Sequence, residues 1–327
     1  MKRFWFENTY LRELPSGTRG TLWMVLACLM FGALAVLIRR VAQQVPPFEI
    51  IFFRNLVQVI FFAPWLAVRG FSVMRTARIK THVTRSAIGV MAMVCFFPAL
   101  AVLPAAQAIA ISFTTPLFAT IGAALFLREH VRARRWTAIV IGLVGVMVIL
   151  RPEAAAVGRA QGLVVLSAMF MAGSILLTKS MTRTDDPNVI AAYTGALMTV
   201  FSLPLALAVW RTPDLEQGKW LLALGLTATL GQVAFNRAFS HADASAIMAL
   251  DFLRLPVGAI IAFVLLGERP DRWTIVGAVV IFSSSLYIAR REARMARRVR
   301  HAQAMTLDPS VVAEGPIQKV RPEAHND

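Results

Sequence analysis

Charge is scarce in this chain: only 16% of its 327 residues are Asp, Glu, Lys or Arg, while 57% are hydrophobic. So little charge cannot clothe a globule in water, which excludes a soluble enzyme. Cysteine is nearly missing as well. Cys28 and Cys95 stand alone in separate apolar runs without Cys-x-x-Cys spacing, so neither a disulfide framework nor a zinc site is supported. The five histidines, His82, His130, His241, His301 and His325, sit at the ends of apolar runs or in the tail and never cluster. A membrane-embedded enzyme would need a nucleophile beside a base, or grouped metal ligands, and neither is present. No Gly-x-x-x-x-Gly-Lys-Ser or Gly-x-x-x-x-Gly-Lys-Thr loop occurs, so a nucleotide-driven pump lacks its phosphate cradle. The chain is expected to be no enzyme and to hold no cofactor and no metal.

What fills the sequence instead is hydrocarbon, with a mean hydropathy of +0.63. A bilayer core about 30 Å thick needs about 20 apolar residues per helix. Ten runs meet or approach that length: Gly20 to Ile38, Phe48 to Val68, Val83 to Leu103, Ala106 to Leu127, Arg134 to Leu150, Gln161 to Lys179, Asn188 to Trp210, Lys219 to Ser240, Ala244 to Leu266, and Arg272 to Ala289. The expected fold is an all-α integral membrane protein with ten transmembrane helices. No small-residue cleavage site follows the first run, which is therefore read as a retained helix. Residues 1–19 form a basic lead. From Arg290 the run "RREARMARRVRHAQAM" suits a basic helix on the inner leaflet, and the rest of the tail to residue 327 lacks apolar periodicity, as disordered segments do.

The net charge of +16 is explained by where the charges lie. Counted in alternate loops together with helix edges, Lys and Arg number 21 on the side of the N-terminus and 8 on the other. The positive-inside rule then places both termini in the cytoplasm. Attraction to anionic lipid accounts for the excess, and no nucleic-acid partner is implied.

The chain also repeats itself. Residues 97–129 align without gaps on 236–268 with eight identities, among them Phe113 with Phe252, Leu127 with Leu266 and Glu129 with Glu268. Each segment closes with a Leu-x-Glu, Leu127-Arg128-Glu129 and Leu266-Gly267-Glu268, and each is followed by a Trp-Thr pair, Trp136-Thr137 and Trp273-Thr274, that opens the next run. The fourth run thus matches the ninth and the fifth the tenth, giving halves at 20–155 and 156–290. Five helices per half is an odd number, so the second copy must enter the membrane from the opposite side: an inverted repeat, the architecture of many secondary transporters.

The segment "SAIMALDFLRLPVGAIIAFVLLGERPDRWTIVGAVVIFSSSLYIARRE", with its small residues, mid-helix proline, Leu-x-Gly-Glu and Gly-containing last helix, resembles the EamA family of the drug/metabolite transporter superfamily. The first half is a looser copy, with Arg128 where the family usually has glycine. The resemblance spans about residues 20 to 290. It implies a secondary carrier of small organic metabolites in a bacterial inner membrane, working as a monomer or homodimer. The wording "DASAIMALDFLRLP" is similar to members described as S-adenosylmethionine or riboflavin uptake carriers. Exporters of amino acids or drug-like metabolites are the alternative, and a channel or scaffold the alternative from another class. Related small multidrug exporters couple to protons through a carboxylate in the first helix. The first run here has none, so a proton, if it is the coupling ion, must use another group.

Charges inside the membrane each need a reason, since one at a helix centre costs about 2.5–3.5 kcal/mol on insertion scales. Lys179 and Arg237 lie near run ends and can extend to the interface. Arg54 can reach outward or face a cavity, with Gln58 on the same face. Asp251 and Arg254 sit mid-run at i, i+3 spacing and can pair, as a structural bridge or as a substrate or coupling site. In the repeat Asp251 aligns with Ser112 and Arg254 with Thr115, so both halves are polar at the same place. Gln232 and Asn236 share a face as interhelical glue or as part of the site. Glu129 and Glu268 suit caps on neighbouring helices. Gly142 with Gly145, and Ser283 to Ser285, suit close helix packing.

Overall fold

The computed structural model describes residues 16–126, 133–150, 158–181, 184–241, 251, 253–284 and 286–287. Among them every regular element is helical. In chain order these are α1 (Ser16–Val41), α2 (Pro47–Arg69), a short 3-10 turn (Phe71–Met74), α3 (Ile79–Val102), α4 (Ala105–Ser112), α5 (Thr115–Phe126), α6 (Ala133–Leu150), α7 (Arg159–Met181), α8 (Pro187–Leu207), α9 (Leu215–His241), α10 (Arg254–Leu266) and α11 (Arg272–Ser284). The basic lead through residue 15, Arg128, Glu129, residues 244–250 of the ninth run, Phe252 and the tail from residue 291 lie outside the described residues, as does the side chain of Lys179.

Local chemistry sets the ends. Pro47 and Pro187 open α2 and α8, where a missing N–H costs nothing. Asp186 caps α8 by accepting from the Asn188 N–H. Gly267, at φ 67°, ends α10 in the left-handed conformation that only glycine adopts freely, which gives the glycine of the Leu-x-Gly-Glu sequence its reason.

Five helices are long and apolar enough to cross a membrane by length and composition: Thr18–Val41, Pro47–Arg69, Ile79–Val102, Arg159–Thr178 and Pro187–Leu207. The eighth run lies within the unbroken 27-residue α9, which has the length but is less apolar than these five, and the other expected spans are shorter or interrupted among the described residues. The fourth run, expected as one helix, is broken at Phe113–Thr114 into α4 and α5. The cause is Pro116, which has no N–H to offer the Ser112 carbonyl. The Phe113 and Thr114 N–H groups tighten onto the i−3 carbonyls of Ala110 and Ile111 at 3.2 and 3.0 Å, and the Thr115 hydroxyl donates to the stranded Ser112 carbonyl at 2.7 Å. In the repeat alignment Thr115 corresponds to Arg254, and Arg254 is the first residue of α10. A half-helix therefore starts at the same point of each copy.

Helices of the two sequence halves interleave. α1 packs along α9 as α3 packs along α7, α10 on α1 as α5 on α7, and α9 on α2 as α3 on α8. Each pairing is the other with the halves exchanged. A continuous apolar core runs through them from Leu34 and Ile38 to Phe97, Ile109, Leu224 and Ile281. α6 and α11 meet backbone to backbone: a Cβ added at Gly277 would stand 2.6 Å from the Gly145 carbonyl oxygen, and one at Gly142 would stand 3.1 Å from the Ser284 hydroxyl. The packing role expected for Gly142 and Gly145 is seen, with Ser284 at the same contact; Ser285 lies outside the described residues.

Because the obstacle at Gly277 is main chain and cannot rotate away, Gly277→Ala should lower the melting temperature of the purified protein, at an overpacking cost of about 1–3 kcal/mol. Gly162, with nothing within 4 Å of its added Cβ, supplies the control: Gly162→Ala should leave the temperature unchanged or raise it. Equal behaviour of the two variants would contradict the close contact.

Candidate functional site

The break that opens α10 carries the ion pair expected there. Arg254 Nη2 donates to Asp251 Oδ2, three residues back. Arg254 also lies over two aromatic rings, 5.5 Å from the centroid of Phe31 on α1 and 5.6 Å from that of Phe113 at the α4–α5 break, where its charge faces the rings' negative quadrupoles. The two interruptions thus touch through Arg254 and Phe113. The pair is not fully satisfied: Asp251 Oδ1 and Arg254 Nε are buried without a hydrogen-bond partner. Ser112 and Thr115, the repeat counterparts, spend their hydroxyls on their own backbone, donating to the Ile109 and Ser112 carbonyls at 2.7 Å each.

A second polar cluster joins α2, α3, α7 and α8. Arg54 is 5% exposed, so it does not reach the interface. Its Nη1 donates to Asn55 Oδ1 at 2.7 Å and lies 3.8 Å from the Met93 sulfur. Arg85 on α3, 6% exposed, donates from Nε to the Thr178 hydroxyl at 2.7 Å and from Nη1 to the Thr194 hydroxyl. Gln58 donates to the Ala191 carbonyl at 2.9 Å, and Gly195, where a Cβ would stand 3.1 Å from Gln58 Cγ, leaves the room for it. No hydrogen bond or ion pair of Arg54, Gln58 or Arg85 reaches Asp251 or Arg254. The expected site residues therefore fall into two groups.

The remaining candidates are on α9. Gln232 donates to Asn236 Oδ1 at 3.0 Å along the same helix, and Asn236 Nδ2 is buried with no partner. Arg237 does not extend to the interface as expected. It is 7% exposed and lies 4.9 Å from the centroid of the Trp23 ring, because α1 and α9 pack along their length and bring the indole face, which attracts a cation, to it.

Both ends of α3 are tied across the halves. At its start, Asp185 Oδ2 lies 2.7 Å from His82 Nε2 and accepts from Thr76 at 3.0 Å. Burial works to raise the Asp185 carboxyl, but hydrogen bonds from His82, Thr76 and Thr184 outweigh it and hold it below its ordinary value. A carboxyl lowered in this way contributes its stabilisation above its unfolded pKa and loses it as pH falls through the folded one, so the tie holds at neutral pH. At the far end, Glu268 Oε2 accepts from the Ala105 N–H at 2.9 Å, capping α4, while its Oε1 takes Arg39 Nε at 3.0 Å. The capping role expected of Glu268 is seen.

Arg85, Asn55, Ser86 and Thr194 escape the sequence pattern. Arg85 falls just inside an apolar run, where a cation is taken for a helix-edge residue. Its burial depends on Thr178 and Thr194, about a hundred positions away. The available signal is register: Thr194 follows Pro187 by the same seven residues by which Arg54 follows Pro47.

Comparison with known proteins fits this architecture. The chain matches the EamA-like transporter family twice, over residues 18–151 and 159–290. It is 34% identical to a riboflavin transporter of Rhizobium johnstonii over 85% of this chain and 93% of that one. It is 29% identical to an S-adenosylmethionine uptake transporter of Rickettsia bellii, over 83% and 93%, and 29% identical to the pseudopaline exporter CntI of Pseudomonas aeruginosa, over 83% and 96%. A protein solved by crystallography shares the fold, with a TM-score of 0.60 at 18% identity, covering 84% of this chain and 98% of that one. With both halves matched, the chain belongs to the EamA-like transporter family.

Proposed function

We propose that this chain is a secondary carrier that moves a small organic metabolite across a bacterial inner membrane by alternating access, and not an enzyme. Ten transmembrane helices form two inverted five-helix halves, residues 20–155 and 156–290, with both termini in the cytoplasm. The observation that carries this function is the Asp251–Arg254 pair, with one atom of each partner unsatisfied, held at a helix interruption that recurs in the other half. Interrupted helices in corresponding positions of two repeats are where such carriers hold substrate. Asp251 and Arg254 form one part of the site, flanked by Ser112 and Thr115. Arg54 and Gln58 form another, and Gln232 and Asn236 support it from α9. The riboflavin and S-adenosylmethionine carriers among the relatives favour uptake of a substrate like one of these. The pseudopaline exporter favours the second direction, export.

Purified protein in vesicles loaded with unlabelled riboflavin or S-adenosylmethionine should accumulate the same labelled compound by counterflow. Leakage without counterflow would mark a channel.

Removing one member of a buried pair strands the other charge. Asp251→Asn and Arg254→Gln should each lower the melting temperature, and the double variant should recover much of it. Its initial uptake, normalised to folded protein, should nonetheless fall about tenfold or more. Uptake by the double variant near the wild-type rate would leave the pair as scaffold.

Orientation has its own measurement. In a Cys28→Ala, Cys95→Ala background, Leu103→Cys should react with an impermeant maleimide added to intact cells and Ala133→Cys should not. The opposite pattern reverses the topology.

A further inference from the structure

Asp251 balances Arg254, and Glu268 balances Arg39. Arg54 and Arg85 have no such balance. Both are buried, and every group that either hydrogen-bonds among the described residues is neutral: the Asn55 amide and Met93 sulfur for Arg54, two threonine hydroxyls for Arg85. They are also joined through α8: Gln58, one turn from Arg54, donates to the Ala191 carbonyl, and Arg85 donates to the Thr194 hydroxyl three residues on. A guanidinium stays charged in any protein, so the bundle holds two like charges out of water with no carboxylate against them among the described residues. Left so, the arrangement is costly.

The unspent groups around them have one chemical character. Arg54 Nε and Nη2 and Arg85 Nη2 donate to nothing among the described residues. Asn55 Nδ2 is buried without a partner, and so is the Ser86 hydroxyl, next to Arg85. All of these can donate a hydrogen bond, while the Asn55 amide oxygen and the Thr178 and Thr194 hydroxyls already accept one. What completes such a cluster is an acceptor-only group with negative charge, for which planar guanidinium forks are the matched donors. Its location also suits a substrate. Arg54, Asn55 and Arg85 come from the first half, and the groups holding Arg85 and Gln58 in place, Thr178, Thr194 and Ala191, come from the second. A group bound here touches both bodies that move in alternating access.

Resting on the carrier function proposed above, we propose that Arg54 and Arg85 form the dock for an anionic group, a carboxylate or phosphate, of the transported metabolite. Asn55 and Ser86 supply further donors, and Thr194 holds Arg85 at the position where the second half has a hydroxyl in place of the guanidinium of Arg54. The dock is asymmetric for that reason.

The test reads binding, not transport, and uses the purified full-length protein with inorganic phosphate or acetate, each compared with chloride at equal ionic strength. One of the two should raise the wild-type melting temperature by about 3 °C at tenfold excess over its dissociation constant. A response to phosphate alone assigns a phosphate, and one to acetate alone a carboxylate. Arg54→Gln and Arg85→Gln should each abolish the specific rise while melting no lower than wild type without anion, because each removes a charge that lacked a partner. If either variant does not fold, Arg85→Lys serves: it keeps the charge but loses the fork, and should shrink the rise. Anions that shift wild type and variants equally, or that shift neither, would overturn the dock. So would Gln variants that fold and keep the full rise, or an Arg85→Lys variant that keeps it. Failure of the carrier function would look different: no counterflow of any metabolite, whatever the anions do.

Discussion

A polar group taken out of water into this bundle has no solvent to fall back on, and the rest of the structure is arranged around that constraint. Backbone carbonyls obey it at the α4–α5 break, where Pro116 withholds a donor and the Thr115 hydroxyl supplies one. Arginines obey it in three different ways. Arg254 takes a carboxylate and two rings, Arg237 takes the indole of Trp23, and Arg54 and Arg85 take neutral oxygens and one sulfur. Only in the last case does the charge itself go unanswered, which is why the α2–α3 arginines stand apart from the others.

Duplication supplied a symmetric frame, and side chains then made it unequal. A helix starts at the same point of each copy, but one start is lined by Ser112 and Thr115, whose hydroxyls are consumed locally, and the other by a charged pair with capacity left over. The same register on α2 and α8 gives a guanidinium in one half and a hydroxyl in the other. A substrate that is itself asymmetric needs this: equal halves would offer it two identical faces, and neither would fix its orientation.

Much of the frame is legible in the chain. Runs of hydrocarbon mark α1, α2, α3, α7 and α8 to within a few residues, because length and hydropathy are properties of the segment alone. The Leu-x-Gly-Glu sequence announces both the end of α10 and the carboxylate that caps α4. The Asp251–Arg254 pair is legible for a similar reason, since a separation of three residues leaves the two side chains within reach of each other across a single turn. What escapes is whatever depends on a second segment. Arg85 reads as an edge residue until Thr178 and Thr194 are brought to it, and Arg237 reads as interfacial until α1 lays Trp23 beneath it. The interruption at Phe113 escapes for a subtler reason: Pro116 alone permits either a kink or a break, and the hydroxyl that settles the choice is one residue away.

Glu268 carries a consequence for motion. One carboxylate oxygen closes the first turn of α4, and the other grips Arg39 on α1. Separating α1 from α10 at that end therefore cannot be a clean parting of two surfaces. The carboxylate belongs to the end of α10, so Arg39 is released in either case; α4 then either moves with α10 and stays capped, or stays with α1 and its first turn frays. The residue acts as a three-way junction, so that widening the bundle on this side is mechanically linked to the length of a neighbouring helix, and the opening has two distinguishable end states instead of a continuous range.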